Sequence, residues 1–282
     1  MRLLILGATG MLGSAALRWF LDRPEISVTG VARSPERAAL LPAKAAARVR
    51  TPIELDDERA LARLIADERP DAVLNAAGIL KRSGADAEEM IRLNALLPHR
   101  LARLCGEHGA RLIHVSTDCV FRGDRGGYRE DDPPDADDLY GRSKLLGEPA
   151  GPQVVTLRTS IVGHELGRAR GLIEWFLSQP GPVQGYARAV FSGLPTVELA
   201  RVIGEVVLPR PDLSGLWHVA AAPISKLELL RLVGAACGHP AAIIPDDSVR
   251  VDRSLDPSRF HAATGWTARP WAEMVDAMRA FG

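Results

Sequence analysis

The sequence is poor in several features that would settle a function class at once. Of 282 residues only three are cysteine, Cys105, Cys119 and Cys237, far apart and without paired spacing. That argues against a disulfide framework and fits a reducing compartment. Cys119 reads as a small buried thiol rather than a nucleophile. No metal-ligand spacing occurs among His, Asp and Glu. His114, His164 and His218 are dispersed among apolar or glycine residues and read as ordinary core or surface histidines. An excess of one charge is also missing. The 35 basic and 35 acidic side chains balance, which argues against broad attraction to nucleic acid or an anionic membrane. No apolar run is long enough to span a bilayer. The first run, Leu3-Leu4-Ile5-Leu6, meets Gly7 too soon for a signal peptide, so a cytoplasmic location is expected. Aromatic residues make up 5%, and Trp175, Trp217, Trp266 and Trp271 read as packing residues rather than a stacking platform.

What is present is an alternation. Short runs rich in Val, Ile and Leu at 3–6, 27–32, 72–75, 111–116 and 154–158 read as strands buried on both faces. Amphipathic stretches at 13–21, 58–67, 88–108 and 140–147 lie between them, with Asp56 or Asp57 able to cap the second. Right-handed crossovers then give an α/β fold, a Rossmann-type doubly wound parallel sheet. After residue 158 the pattern changes. The stretch 163–193 is glycine-rich and short of parallel-strand signals, whereas 195–208, 225–237 and 271–281 read as helices and 216–220 and 242–244 as short strands. The expected organisation is a dinucleotide-binding domain over 1–160, with part of 190–225 returning to it. A smaller, discontinuous substrate lobe takes up most of 161–282. The stretch 123–138, dense in Gly, Pro and Asp, reads as an exposed loop.

Gly7-Ala8-Thr9-Gly10-Met11-Leu12-Gly13 follows the first strand and opens a helix. Small residues there let the backbone turn tightly and approach a diphosphate, to which the helix N-terminus offers N–H groups and its positive dipole end. The spacing is G-x-x-G-x-x-G, and its position between strand and helix makes a cofactor site the better reading. The second strand ends Val31-Ala32-Arg33-Ser34, with Arg37 one turn on and no carboxylate for the ribose hydroxyls of NAD. A guanidinium and a hydroxyl suit a 2′-phosphate, so NADP is favoured over NAD. Asn75-Ala76-Ala77-Gly78 leaves room for the cofactor, although Asn75 serves equally well to satisfy a strand end. Glu54-Leu55 borders the adenine.

The most specific signal is Tyr140-Gly141-Arg142-Ser143-Lys144. Tyr and Lys four apart share one helix face. A free tyrosine has a pKa near ~10, and a neighbouring cation favours its phenolate. Lys144 can also hold ribose hydroxyls. Thr117, in His114-Val115-Ser116-Thr117-Asp118, ends a strand where its hydroxyl can hold a carbonyl oxygen against the phenol.

These segments, with Ser116-Thr117-Asp118-Cys119-Val120-Phe121 and Leu157-Arg158-Thr159-Ser160, together resemble the extended short-chain dehydrogenase/reductase superfamily, within it the dTDP-4-dehydrorhamnose reductase group. The closing run from Asp252 to Phe260 is similar to that group's C-terminal motif. The resemblance implies NADPH-dependent reduction of a 4-keto group on a nucleotide-activated deoxysugar, with Thr117, Tyr140 and Lys144 catalytic. It extends the cofactor set to Asn94, Ser116, Thr159 and Ser160. It points to Lys81, Asp118, Val120, Phe121, Phe191, Arg250 and Arg253 for the substrate, and to a homodimer as a family habit. Arg250 and Arg253 are equally readable as solvated arginines. The chain departs from the group at Ile161, where a tryptophan is usual, at Pro149, soon after Glu148, and at Ser248-Val249-Arg250-Val251, which replaces a basic Arg-Pro element. Two alternatives stay open: an epimerase or dehydratase that keeps NAD bound, and a non-catalytic dinucleotide-binding regulatory subunit.

Overall fold

The computed structural model describes residues 1–80, 86–167 and 171–282. Its centre is a seven-stranded sheet in which every pairing is parallel. The strands are β1 (Arg2–Leu6), β2 (Ser27–Val31), β3 (Val49–Arg50), β4 (Ala72–Asn75), β5 (Arg111–Val115), β6 (Val154–Arg158) and a last edge strand, Gly215–His218. From that edge inward the order is Gly215–His218, β6, β5, β4, β1, β2, β3. The winding reverses between β1 and β4, and such a reversal opens a crevice at the strands' carboxyl ends. This is the doubly wound Rossmann architecture that the alternation predicts.

The alternation of side chains along β1 divides the core. Leu3 and Ile5 join one apolar cluster, Leu4 and Leu6 another. The first cluster packs beneath the helices Met11–Leu21, Thr196–Val202 and Trp271–Phe281. The second lies under Glu58–Glu68 and Leu97–Glu107. Burial on both faces is why these strands read as unbroken apolar runs.

The long helix expected over 88–108 is interrupted. Ala87–Met90 and Leu97–Glu107 flank a π-helical stretch, Ile91–Leu96. Pro98 accounts for it: without an N–H it cannot donate to the carbonyl of Asn94, four residues earlier, and the ladder widens there.

The stretch 163–193 corrects the expectation of few strands. It holds the helix Leu172–Leu177 and the strands Val183–Tyr186 and Ala189–Phe191, each paired in parallel with a later strand. The period-two signal was there, with Val183 and Gly185 buried and Gln184 and Tyr186 exposed, but four residues are too few to stand out. Among the described residues no helix is long and apolar enough to cross a membrane.

Candidate active site

The glycine turn sits at the carboxyl end of β1, against the turn after β4. Gly7 has φ of 77°, and a Cβ there would lie 2.8 Å from the Ala77 Cα. A Cβ on Gly13 would collide with the Gly7 carbonyl. Both positions therefore demand glycine, and the turn is as tight as a diphosphate cradle needs. The helix Met11–Leu21 begins at Gly10 with no side-chain cap, so its first amide groups face the crevice without a side-chain acceptor. Gly10 and Gly78 are exposed, Thr9 and Met11 half-buried, and Leu12 is buried. The cradle fits a dinucleotide diphosphate.

The end of β2 is basic. Arg33 is largely exposed, 3.7 Å from the Glu89 carboxylate, and Ser34 caps the short helix Pro35–Ala38. The Arg37 guanidinium donates to the Thr9 carbonyl at 3.2 Å, which places it across the glycine turn. Glu54 is exposed and Leu55 half-buried against the second core cluster.

The helix Leu139–Leu146 carries the tyrosine and lysine. Asp138 caps it by accepting from the Gly141 N–H at 2.8 Å. A side chain on Gly141 would collide with the Cys119 carbonyl, so the glycine after Tyr140 lets this helix press against the end of β5. There Thr117, Tyr140 and Lys144 converge. Thr117 Oγ1 accepts from the Cys119 N–H at 3.1 Å and donates to Asp118 at 3.2 Å. Lys144 is buried, its Nζ donating to the Val115 carbonyl at 2.8 Å.

The electrostatics of the phenol run against the lowering that a neighbouring cation implies. Burial pushes the Tyr140 phenol well above its usual range, Cys119 and Asp118 push the same way, and the Thr117 hydroxyl partly opposes them. Burial lowers Lys144 to about 8, against the pull of Glu148. Its ammonium is turned to the Val115 carbonyl. Burial thus favours the protonated phenol, the form a proton donor needs. Burial also pushes the Cys119 thiol up to about 12, which makes it inert.

Other candidates are distributed unevenly. Asn75 is buried, its Nδ2 facing His114 Nδ1 at 3.1 Å and its Oδ1 accepting from the Ala77 N–H at 3.2 Å. Its side chain braces the turn after β4. Asn94 clamps both backbone groups of Ile79, at 2.8 and 2.9 Å, and donates to Ser143 Oγ at 3.2 Å, tying the turn after β4 to the tyrosine helix. Val120 and Phe121 are fully buried with Tyr128, Ala220 and Leu255, so their side chains serve packing rather than the crevice. Thr159 is buried and its carbonyl takes the Asp118 N–H, while the Ser160 carbonyl takes the Leu194 N–H. Phe191 is buried, Arg250 exposed, and Arg253 donates to the Phe121 carbonyl at 2.9 Å. Lys81 lies outside the described residues. Among the described residues no group of three or more His, Cys, Asp or Glu is placed to hold a metal.

Sequence reasoning missed a buried polar chain behind the site. Glu148, two residues past the tyrosine helix, accepts from Ser116 Oγ at 2.6 Å and from Arg158 at 2.8 and 2.7 Å. Arg158 Nη1 faces His218 Nε2 at 3.4 Å, and His218 Nδ1 lies 3.0 Å from the Tyr128 carbonyl. Arg158 donates, so Nε2 accepts and the ring proton sits on Nδ1. The Glu in Tyr140-to-Glu148 and the Arg that ends β6 were the available signals.

His218 yields a prediction. Burial and Arg158 lower it to about 4 from an ordinary 6.5. Between those values the unfolded chain takes up a proton that the folded chain refuses, so stability present above pH 6.5 falls as pH drops towards 4. The buried His114 is lowered too and adds to the trend. Urea unfolding at pH 7 and pH 5 is expected to show a smaller loss in His218→Gln than in the unmodified chain; an equal loss contradicts the assignment.

A doubly wound sheet with a glycine turn at β1 and a tyrosine and lysine one helical turn apart at the end of β5 defines a protein of the extended short-chain dehydrogenase/reductase class. The comparisons narrow this. The family model described as "RmlD substrate binding domain" matches residues 1–279. The dTDP-4-dehydrorhamnose reductase of Mycobacterium tuberculosis is 36% identical over 244 residues, 78% of this chain and 75% of that one. The enzyme of the same name from Streptomyces griseus is 33% identical over 308 residues, covering 96% and 90%. The crystal structure of a hypothetical dTDP-4-dehydrorhamnose reductase from Sulfolobus tokodaii superposes with a TM-score of 0.77 at 27% identity, over 96% of this chain and 98% of that one. The chain belongs to the RmlD family of nucleotide-sugar reductases.

Proposed function

We propose that this chain is an NADP-dependent reductase of the 4-keto group of a nucleotide-activated deoxysugar. The observation that carries the proposal is the convergence of Thr117, a protonated Tyr140 and a buried Lys144 at the end of β5, with only β4 between it and the strand that leads into the glycine turn. The relatives' reductase names support the same chemistry.

In this reading residues 1–160, joined by the edge strand Gly215–His218, bind the dinucleotide, and most of 161–282 grips the sugar nucleotide. The Gly7–Gly13 turn holds the diphosphate, and Arg33, Ser34 and Arg37 hold the 2′-phosphate. The bound cofactor supplies a hydride to the keto carbon. Tyr140 Oη gives its proton to the carbonyl oxygen, which the Thr117 hydroxyl holds in place. Lys144, released from the Val115 carbonyl, grips ribose hydroxyls and steadies the phenolate left on Tyr140. The missing carboxylate at the end of β2 favours this over an epimerase or dehydratase that retains NAD.

The test is NADPH oxidation, followed by absorbance, against nucleotide-linked 4-keto sugars. Turnover of at least one is expected, and none with any of them contradicts the proposal. A companion prediction concerns the cofactor. Arg33→Ala is expected to weaken NADPH binding about 10-fold, the scale of one charge-assisted hydrogen bond, with NADH affinity nearly unchanged. Equal effects on both cofactors, measured by fluorescence titration, contradict the role of Arg33.

A further inference from the structure

Lys226 is a cation that the mechanism above does not use. It opens the helix Lys226–Cys237, where a capping box between Ser225 and Glu228 fixes the first turn. The strand just before it, Ile224–Ser225, pairs with Ala189–Phe191, which pairs on its other side with Val251–Asp252. This three-stranded sheet brings Lys226, Phe191 and Arg253 to the end of β5. Lys226 Nζ lies 3.7 Å from the centroid of the Phe191 ring, and Arg253 is held by the Phe121 carbonyl. Lys226 is half-buried and Asp118 is buried, and the two attract each other electrostatically.

Among the described residues neither charge has an ion pair, although Arg253 as well as Lys226 attracts Asp118 from a distance. Among the described residues the Asp118 side chain receives only the Thr117 hydroxyl and the Cys119 thiol. Among the described residues no ion pair within 4.0 Å joins Asp118 or Lys226 to anything, and Lys226 Nζ donates no hydrogen bond. A lysine in the first turn of a helix also opposes the helix dipole. Burying such charges unpaired is costly. Accordingly, burial pushes Lys226 below its ordinary value and Asp118 above its own.

A group set between an ammonium and a carboxylate must accept from one and donate to the other. A hydroxyl does both, whereas a phosphate is repelled by Asp118. Asp118 is next to Thr117, the residue that holds the carbonyl oxygen in the reading above. We propose that Lys226 and Asp118 together bind the hydroxyl on the carbon adjacent to the keto carbon. Lys226 is then the residue by which the site selects 4-keto sugars that retain the 3-hydroxyl. This inference rests on the reductase reading.

The experiment compares a nucleotide-linked 4-keto-6-deoxy sugar with its 3-deoxy counterpart in the unmodified protein, Lys226→Met and Lys226→Arg. Binding of NADPH and of the free nucleoside diphosphate is measured in each. The unmodified protein is expected to favour the hydroxylated sugar in kcat/KM by about 10–100-fold, the range of a hydrogen bond to a charged group. Lys226→Met is expected to bring that preference close to unity, through loss on the hydroxylated sugar alone. Lys226→Arg restores part of it, and NADPH binding stays unchanged, which shows the fold intact. A preference that survives in Lys226→Met overturns the inference. So does a loss of affinity for the free nucleoside diphosphate, which would assign the cation to phosphate. If the unmodified protein reduces no 4-keto sugar, the reductase reading fails first and the inference falls with it.

Discussion

Replacing Tyr140 by phenylalanine is expected to lower kcat about 10²–10⁴-fold, the range for loss of a general acid, while leaving NADPH affinity intact. The phenol is held protonated by burial, beside the Thr117 hydroxyl and one helical turn from Lys144. Phenylalanine keeps the ring and its packing and removes only the transferable proton. Because Gly141 sets the approach of this helix to the Cys119 carbonyl, the neighbouring backbone has no reason to move. Pre-steady-state turnover with a titration of NADPH separates the two effects. A variant that keeps most of its activity, or loses cofactor binding in step with it, contradicts the role given to the phenol.

The largest expected effect on stability comes from Glu148. Its side chain is 11% exposed and that of Arg158 3%, and the pair is joined by two hydrogen bonds with Ser116 as a third partner. Removing one member of a buried pair leaves the other charged and unsatisfied, at a cost of about 3–5 kcal/mol. Glu148→Ala is expected to lose that much in urea unfolding. Glu148→Ala combined with Arg158→Met is expected to recover a good part, because the stranded guanidinium is gone. A single-variant loss within the range of a surface substitution, or a double variant that adds the two losses, contradicts the picture. The same carboxylate opposes the lowering of Lys144, so activity in Glu148→Ala is expected to fall at a lower pH than in the unmodified protein.

How much of this could be read from the sequence depended on how local the cause was. The strands around Ile5, Leu74 and Ile113 were legible because burial on both faces leaves an unbroken apolar run. The glycine turn and Tyr140 with Lys144 were legible because their chemistry needs fixed short spacings. Lys226 was not, since only the pairing of Ile224 with Phe191, across a long stretch of chain, brings it to the end of β5. His218 reads as an ordinary histidine until the edge strand sets it beside Arg158. Val120 and Phe121 follow Thr117 so closely that the resemblance drew them into the substrate set, but the chain turns at Asp118–Val120 and folds both inward. The direction of the Lys144 side chain was not legible for a similar reason. Helical spacing puts the two on one face, but the direction of a flexible ammonium is decided by an acceptor, here the Val115 carbonyl.

In the proposed reaction the keto carbon of a sugar nucleotide receives a hydride as Tyr140 protonates its oxygen. The most direct measurement uses NADPH carrying deuterium at both C4 positions of the nicotinamide, a nucleotide-linked 4-keto-6-deoxy sugar, and mass and NMR analysis of the product. One deuterium is expected, at C4 of the sugar, on a single face. A reduced sugar without the label at C4, or label spread over both faces, would contradict it.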